Sequence, residues 1–449
     1  MELAELERAA DALVAFHQRF APLFGRTEAQ RRGGQYLRGL LVQRAERRNA
    51  ENLAEAVDGA APRALQRLLT GAPWPTEPVL ARLQAEVGQR LEAPDAVLVL
   101  DETGFPKQGT KSVGVARQYS GTLGKVGNCQ VGVFLAYASE RGHALVDGAL
   151  YLPKAWTDDP ERGRAAGVPK DVGFRTKPEL GLELVRQARA RGHLRARWVT
   201  ADEAYGQVPE FRAALDADGW WYVLEVPATT IVFPRPAQPA AAPAAESGRI
   251  RPRADLAAPR TVAALAAALP SARWQTLAVA DGAQGPRVYQ FAGLRAREHH
   301  AGTPGRQTWV LFRRNPDGTE LKAYLSNAPA GVPLLVLGRV GARRWAIETG
   351  FQQDKGQVGL DEYEVRGWAG WHHHVTLALL AGLFLLGLTQ DWGGKDAAAD
   401  AASGQPGAPR DPAAPVVDAA RPARLARRHP STQRARHTLA CQTPPPQAA

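Results

Sequence analysis

Three acidic residues stand in settings that suggest shared chemistry. Asp101 ends the apolar run Ala96–Leu100 (AVLVL), Asp202 ends Arg197–Ala201 (RWVTA), and Glu348 lies in RRWAIETGFQQDK, which reads as a helix. A carboxylate at the end of a buried strand costs free energy unless it is paired or binds a cation. Two strand-end aspartates and a helix-borne glutamate make an all-oxygen site suited to Mg²⁺ or Mn²⁺. Such a site is the equipment of two-metal phosphodiester chemistry. Side chains alternate along a strand, so Asp101 and Glu102 point to opposite faces and only one should be a ligand. The same holds for Asp202 and Glu203 in VTADEAYG. The aspartates are preferred because each directly ends its run, with Glu203 as the alternative. Taken singly, a strand-end Asp is more often a cap or a salt-bridge partner, and only the trio points to a metal.

Arg344, Glu348 and Lys355 are spaced by four and seven. On a helix that spacing keeps them within roughly 60° of one another, with a carboxylate between two cations. Alone, an Arg–Glu i,i+4 pair is an ordinary surface contact worth about 0.2–0.5 kcal/mol. Gly350 and Gly356 weaken the helix. In phosphodiester chemistry Glu348 would complete the metal site while Arg344 and Lys355 hold phosphates flanking the scissile bond.

The elements that must position these residues follow from pattern and punctuation. At 449 residues the chain can hold two or three domains. Residues 1–92 read as helical, with apolar residues at spacings of three and four through Leu3–Phe24, QYLRGLLVQ and ALQRLLTGAPW. Arg26, Arg31, Arg32, Arg38, Arg44, Arg47 and Arg48 crowd this region, as in a module that contacts DNA phosphates, or as the solvated face of an ordinary bundle. Residues 93–227 predict strands at Ala96–Asp101, Ser112–Tyr119, Gln130–Ala138, Ala144–Leu152, Arg197–Asp202 and Trp220–Val226. Helices fit Pro178–Arg191 and Val208–Asp216. A meander followed by strand–helix alternation indicates a mixed α/β sheet.

Residues 228–330 begin with an Ala/Pro-rich linker, Ala228–Arg260, that cannot pack well. An all-β insertion follows, with strands at Trp274–Val279, Arg287–Gly293 and Thr308–Arg314, and an NPDG turn (Asn315–Gly318) leading into Glu320–Leu325. Residues 331–390 carry the Glu348 helix. Residues 391–449 read as a disordered tail, with Arg421, Arg424, Arg427, Arg428, Arg434 and Arg436 offering nonspecific DNA contacts.

The +11 formal charge and pI near 9.9 make a polyanion a reasonable partner. The excess of Arg over Lys fits a GC-rich bacterial genome equally well. Only Cys129 and Cys441 occur, which excludes a disulfide framework and a cysteine-based zinc site. The start, MELAELERAADALVAF, is not a signal peptide. The apolar run Val375–Leu388 is shorter than the about 20 residues a bilayer needs and predicts a core helix. The expected location is the bacterial cytoplasm, with the nucleoid.

Other motifs are weaker. His372–His374 cannot converge on one ion, because helix neighbours diverge by about 100°; a helix-start or DNA-facing role is expected. Lys107 and Lys111 with Gly104 and Gly109 lack the order of a phosphate-binding loop. Trp220, Trp221, Trp368 and Trp371 could stack on an extruded base, but core packing is the better reading. Phe105, Tyr119 and Tyr205 read as structural.

The segments LVLDETGFPKQG, TADEAYG and RWAIETGFQQDKGQVGLDEYEVRGWAGWHHHVTLALL resemble the three catalytic blocks of DDE transposases from bacterial insertion sequences. The resemblance is to the group whose ribonuclease H-like core is interrupted by a β-rich insertion before the glutamate, and it covers roughly residues 25–390. It implies that Asp101, Asp202 and Glu348 are the catalytic triad holding two Mg²⁺ or Mn²⁺ ions. Arg344, Lys355, Lys107 and Arg366 would contact DNA. Double-stranded DNA, as transposon ends and target, would be the partner of a homodimer in a synaptic complex. The family's helix motif usually begins with Tyr three residues before the Arg; here that position is Gly341.

The implied reaction is cleavage at transposon ends followed by strand transfer. Two alternatives from the same fold are a catalytically inactive DNA-binding regulator and a structure-selective nuclease. A two-carboxylate glycosidase is disfavoured by the basic charge.

Overall fold

The computed structural model describes residues 3–42, 47–234, 258–282 and 285–403. Five helices open the chain: α1 (Leu3–Phe20), α2 (Thr27–Leu41), α3 (Ala50–Ala56), α4 (Pro62–Thr70) and α5 (Thr76–Leu91). Each buries the apolar stripe that its spacing predicts, with Tyr36, Leu37 and Leu40 fully inside on α2. Of the crowded arginines, Arg26, Arg31, Arg38 and Arg47 are exposed. Arg48 is not: it lies buried, donating to the Leu40 carbonyl (3.0 Å) and pairing with Glu362 (3.3 Å). Arg44 falls outside the described residues.

Next come β1 (Val97–Pro106), β2 (Ala116–Ser120), β3 (Lys125–Ser139) and β4 (Gly142–Leu150). Short helices α6 (Lys154–Thr157) and α7 (Pro160–Ala165) precede the longer α8 (Lys177–Arg191), β5 (Trp198–Ala201), α9 (Glu203–Gly206), α10 (Pro209–Ala217) and β6 (Trp221–Val226). The core order is β4-β3-β1-β5-β6. β3 runs antiparallel to β1 and β4, while β1, β5 and β6 are parallel. This is the mixed sheet of a ribonuclease H-like core. α8 begins with a capping box, Thr176 and Glu179, and stops at Gly192, whose φ of 73° is left-handed. The expected strand at Ser112–Tyr119 is shorter in the fold, because Gly114 (φ 74°) bends the chain before β2 can start.

The insertion is built from β7 (Ile231–Pro234), β8 (Arg260–Thr261), helix α11 (Val262–Ala267), β9 (Gln275–Gly282), β10 (Gly285–His300), β11 (Thr303–Arg314) and β12 (Lys322–Ser326). Two expectations are corrected here. The insertion is not all β, since the Ala-rich segment behind the Thr261 cap forms α11. Ile231–Pro234, expected within the linker, pairs with β10 because Val232 and Phe233 have an apolar surface to bury. Residues 235–257 of that linker lie outside the described residues. The NPDG turn closes with the Gly318 amide donating to Asn315 O at 2.9 Å. β12 then pairs antiparallel with β6, so insertion and core form one twelve-stranded sheet.

The chain ends with α12 (Leu334–Ala342), α13 (Trp345–Val358) and α14 (Trp368–Ser403). α14 runs past Gln390, where the apolar pattern stops, because its last turns are rich in alanine, the best helix former. Residues 404–449, with the six tail arginines, lie outside the described residues. By length and composition α14 is long enough over Trp368–Trp392 to cross a membrane, contrary to the sequence expectation. It packs instead against α2, α4, α5, α13 and β4. One continuous apolar core runs from Phe16 through the sheet to Phe384, so the N-terminal helices share the core of the sheet. A smaller core, including Val232, Leu265, Ala292 and Phe312, fills the insertion.

Candidate active site

Strand register places the acidic residues. Leu100 pairs with Ala201, and Ala201 with Leu224. The next positions, Asp101, Asp202 and Glu225, therefore occupy one row across three adjacent parallel strands. Asp202 caps α9, accepting from the Ala204 amide at 3.0 Å. Asp101 Oδ1 accepts from the Glu102 amide at 2.8 Å. Glu203, the alternative ligand, faces solvent. α9 lies hard against β6: a Cβ on Gly206 would come within 1.9 Å of the Glu225 carbonyl oxygen, so only glycine lets the helix dock there.

Arg344, the residue just before α13, reaches over this row. Its guanidinium pairs with Asp101 Oδ2 (3.4 Å), Glu225 Oε2 (3.5 Å) and Glu348 Oε1 (2.5 Å). The Arg344 side chain is 19 % exposed and that of Glu348 52 %. Glu348 thus joins the aspartates through the guanidinium. Among the described residues, no three His, Cys, Asp or Glu side chains are gathered closely enough to hold a metal as they stand.

The electrostatics describe a centre short of positive charge. Burial, then the neighbouring Asp202 carboxylate, pushes Asp101 up to about 8 against the pull of Arg344. Burial and Glu102 push Asp202 up to about 6. Burial alone would lower Arg344, but Glu348, Asp101, Glu225 and Asp202 together carry it above its ordinary value. The Tyr205 phenol is raised by burial and by Glu102, Asp101 and Asp202. The Tyr205 hydroxyl and the Glu102 carboxylate are sealed from water against each other. A divalent cation suits this environment in charge and donor type: the donors are oxygens, and the buried carboxylates repel one another.

The other sequence-selected cations lie apart. Lys355 Nζ donates to Gly104 O (3.0 Å) and Thr122 Oγ1 (3.3 Å), beyond the end of the carboxylate row on β1. Lys107 donates to Tyr363 O (3.1 Å) with its ammonium over the Tyr363 ring, and burial lowers it to about 8. Arg366 is exposed, its carbonyl accepting from the Val113 amide. Gly341 lies in α12 with the Tyr324 ring 3.6 Å from where its Cβ would be. Tyr324 sits opposite Glu225 in the ladder, and its phenol senses both Glu225 and Arg344.

The expected DNA-facing role of the histidines fails, because His373 and His374 are buried. His373 stacks on Trp74 and bonds the Leu69 and Trp74 carbonyls. His374 bonds Tyr36 and Gly359 O. Trp220 and Trp371 are core residues, as expected.

Sequence reasoning missed Glu225 and separated Glu102 from the cluster. Glu102 pairs with Lys177 (2.5 Å) yet lies close enough to Asp202 to raise it. The signal for Glu225 was present, since WWYVLEV is a third apolar run carrying an acid near its end.

This mixed sheet, with an acidic row just past the paired stretch of its parallel strands, defines a nuclease-like α/β protein. A family model described as DDE superfamily endonuclease matches residues 19–286, more than half of the chain, and the chain belongs to that family. The matched span contains Asp101 and Asp202 and ends before Glu348. A curated relative, the probable transposase for insertion sequence element IS701 from Microchaete diplosiphon, is 28 % identical over 194 residues. That alignment covers 42 % of this chain and 47 % of the relative, so the match spans about half of the relative's length. Among solved structures, the piggyBac transposase synaptic complex with hairpin DNA aligns over 86 % of this chain and 74 % of that one. With 10 % identity and a TM-score of 0.38, that likeness is too loose to carry an argument.

Proposed function

We propose that the chain is a DNA transposase that cleaves transposon ends and joins them to target DNA, with Asp101, Asp202 and Glu348 as its catalytic carboxylates. The observation that carries this reading is the in-register pair Asp101 and Asp202 beneath Arg344 and Glu348, in a member of a DDE endonuclease family. When bound, two Mg²⁺ or Mn²⁺ ions supply Lewis acidity for attack on the phosphodiester and for departure of the 3′-oxygen. The chain's own residues do the rest. Asp101 and Asp202 are fixed by the sheet and by the Ala204 amide, so their oxygens need little reorganisation. Glu348 joins them by releasing Arg344, which its half-exposed position on α13 permits. Arg344, still held by Glu225, is then positioned to meet a phosphate oxygen. Lys355, Lys107 and Arg366 extend the positive surface for double-stranded DNA. Joining two ends calls for a homodimer, working in the bacterial cytoplasm at the nucleoid.

The closed Arg344–Glu348 pair also favours a second reading, an inactive DNA-binding regulator in which that pair never opens. One assay separates the readings: divalent-cation-dependent cleavage and joining on cognate end DNA by wild type, Asp101→Ala, Asp202→Ala and Glu348→Ala. Wild-type cleavage and joining lost in all three variants supports the transposase. DNA binding without cleavage supports the regulator, and nicking without joining supports a structure-selective nuclease.

A further inference from the structure

The opposite edge of the same sheet carries the reverse charge. There the N-terminal ends of β1, β5 and β6 open on a cleft of about 780 Å³. Arg141 enters from the β3–β4 turn, Arg189 from the last turn of α8, Arg195 and Arg197 from the approach to β5, and Trp220 from the approach to β6. A strand advances about 3.3 Å per residue, so the span of β5 sets this edge about 13 Å from the carboxylate row.

Four arginines line the cleft against one acid, Glu92, which pairs with the exposed Arg195 (3.1 Å). Arg189 lies over the Trp220 ring at 3.9 Å and Arg197 over Trp221 at 4.3 Å. A guanidinium resting on an indole keeps its N–H edge available to an anion. Arg189 spends one donor on the Asp218 carbonyl. Arg141 and Arg197 make no ion pair among the described residues. Trp220 Nε1 is buried and has no acceptor.

Arginines that serve the fold of this chain look different. Arg191 and Arg212 are buried and each meets a buried carboxylate, Asp147 and Glu298. The cleft arginines gain nothing comparable and repel one another, an arrangement that favours an anionic partner. An open trough edged by guanidinium groups suits a run of phosphates better than one enclosed anion.

We propose that this cleft binds the phosphates of a nucleic-acid strand, giving the protein a second DNA contact behind its sheet. The site does not depend on chemistry at the carboxylate row.

The test uses the full chain carrying Asp101→Ala, without divalent cations, so that cleavage does not enter. Binding of a short mixed-sequence duplex is measured across a salt series, with and without Arg141→Ala plus Arg197→Ala. Each phosphate contact contributes about 0.9 to the slope of log affinity against log salt, so the double change should lower the slope by about two. Arg141→Lys plus Arg197→Lys should keep most of the slope, since the charges remain. An unchanged slope in the alanine variant, with unchanged melting temperature, overturns the proposal. Inorganic phosphate at matched ionic strength should leave duplex binding intact. Displacement down to the affinity of the alanine variant would assign the cleft to a single free anion and overturn the nucleic-acid source.

Discussion

The two ends of one set of parallel strands differ in sign, burial and partnership. Just past the paired stretch of the parallel strands, Asp101 and Glu225 meet one guanidinium beside Asp202, and the two aspartates are held at raised pKa. At the N-terminal ends, arginines stand in solvent over indole rings. Buried like charges cost stability, and a chain keeps them where a ligand relieves the cost. Exposed like charges cost little and act at longer range, falling off with salt.

The comparison breaks first at the aspartates. Asp101→Ala or Asp202→Ala should reduce cleavage by about a thousandfold or more while the protein remains folded and still binds DNA. Comparable loss of binding would mean that the two ends are not separable. Next comes pH. Both aspartates have folded pKa values above the unfolded 3.8, so their contribution is fully present below about 4. It fades as pH rises through about 6 for Asp202 and about 8 for Asp101. The metal-free protein should lose stability between pH 4 and 8, on the order of a few kcal/mol. Asp101→Asn plus Asp202→Asn should flatten that slope in thermal melts. A slope that survives the double change would place the strain elsewhere.

Glu225→Gln sharpens the comparison within the carboxylate end. If Glu225 holds Arg344 rather than an ion, the change should cost about 10–100-fold in turnover. Metal dependence should shift less than in Glu348→Gln. Gly206→Ala reads out in stability alone and should cost about 3 kcal/mol or more, because its methyl group would collide with the Glu225 carbonyl oxygen. An alanine variant with wild-type melting would mean that α9 can slide.

Asp101 and Asp202 were legible because each directly follows a run of apolar residues, a local pattern that requires no neighbour. Asp202 does end its strand, whereas β1 runs on to Pro106, so Asp101 lies inside its strand and not at the expected end, because Glu102–Pro106 keep pairing with β3. Glu225 left a fainter mark, since Val226 follows it and the acid sits inside its apolar run instead of directly after it. The Arg344–Glu348 pair follows from helical spacing, whereas the reach of Arg344 to Asp101 and Glu225 depends on α13 crossing the sheet. A mixed α/β sheet could be read from a meander followed by alternating strands and helices, while the ribonuclease H-like core came from the family resemblance. The merger of the insertion into the same sheet could not, because an edge pairing leaves no mark on either strand. The arginine cleft was invisible for a similar reason: its residues come from four separate turns and helix ends.

The antiparallel seam between β6 and β12 also makes the insertion a lever. Across that seam Tyr324 stands opposite Glu225, the residue that tethers Arg344. A load on the distant rim of the long β10–β11 ribbon would travel through backbone hydrogen bonds to the clasp over the acidic row. What touches the outrigger would thus be felt by the machinery at the hinge.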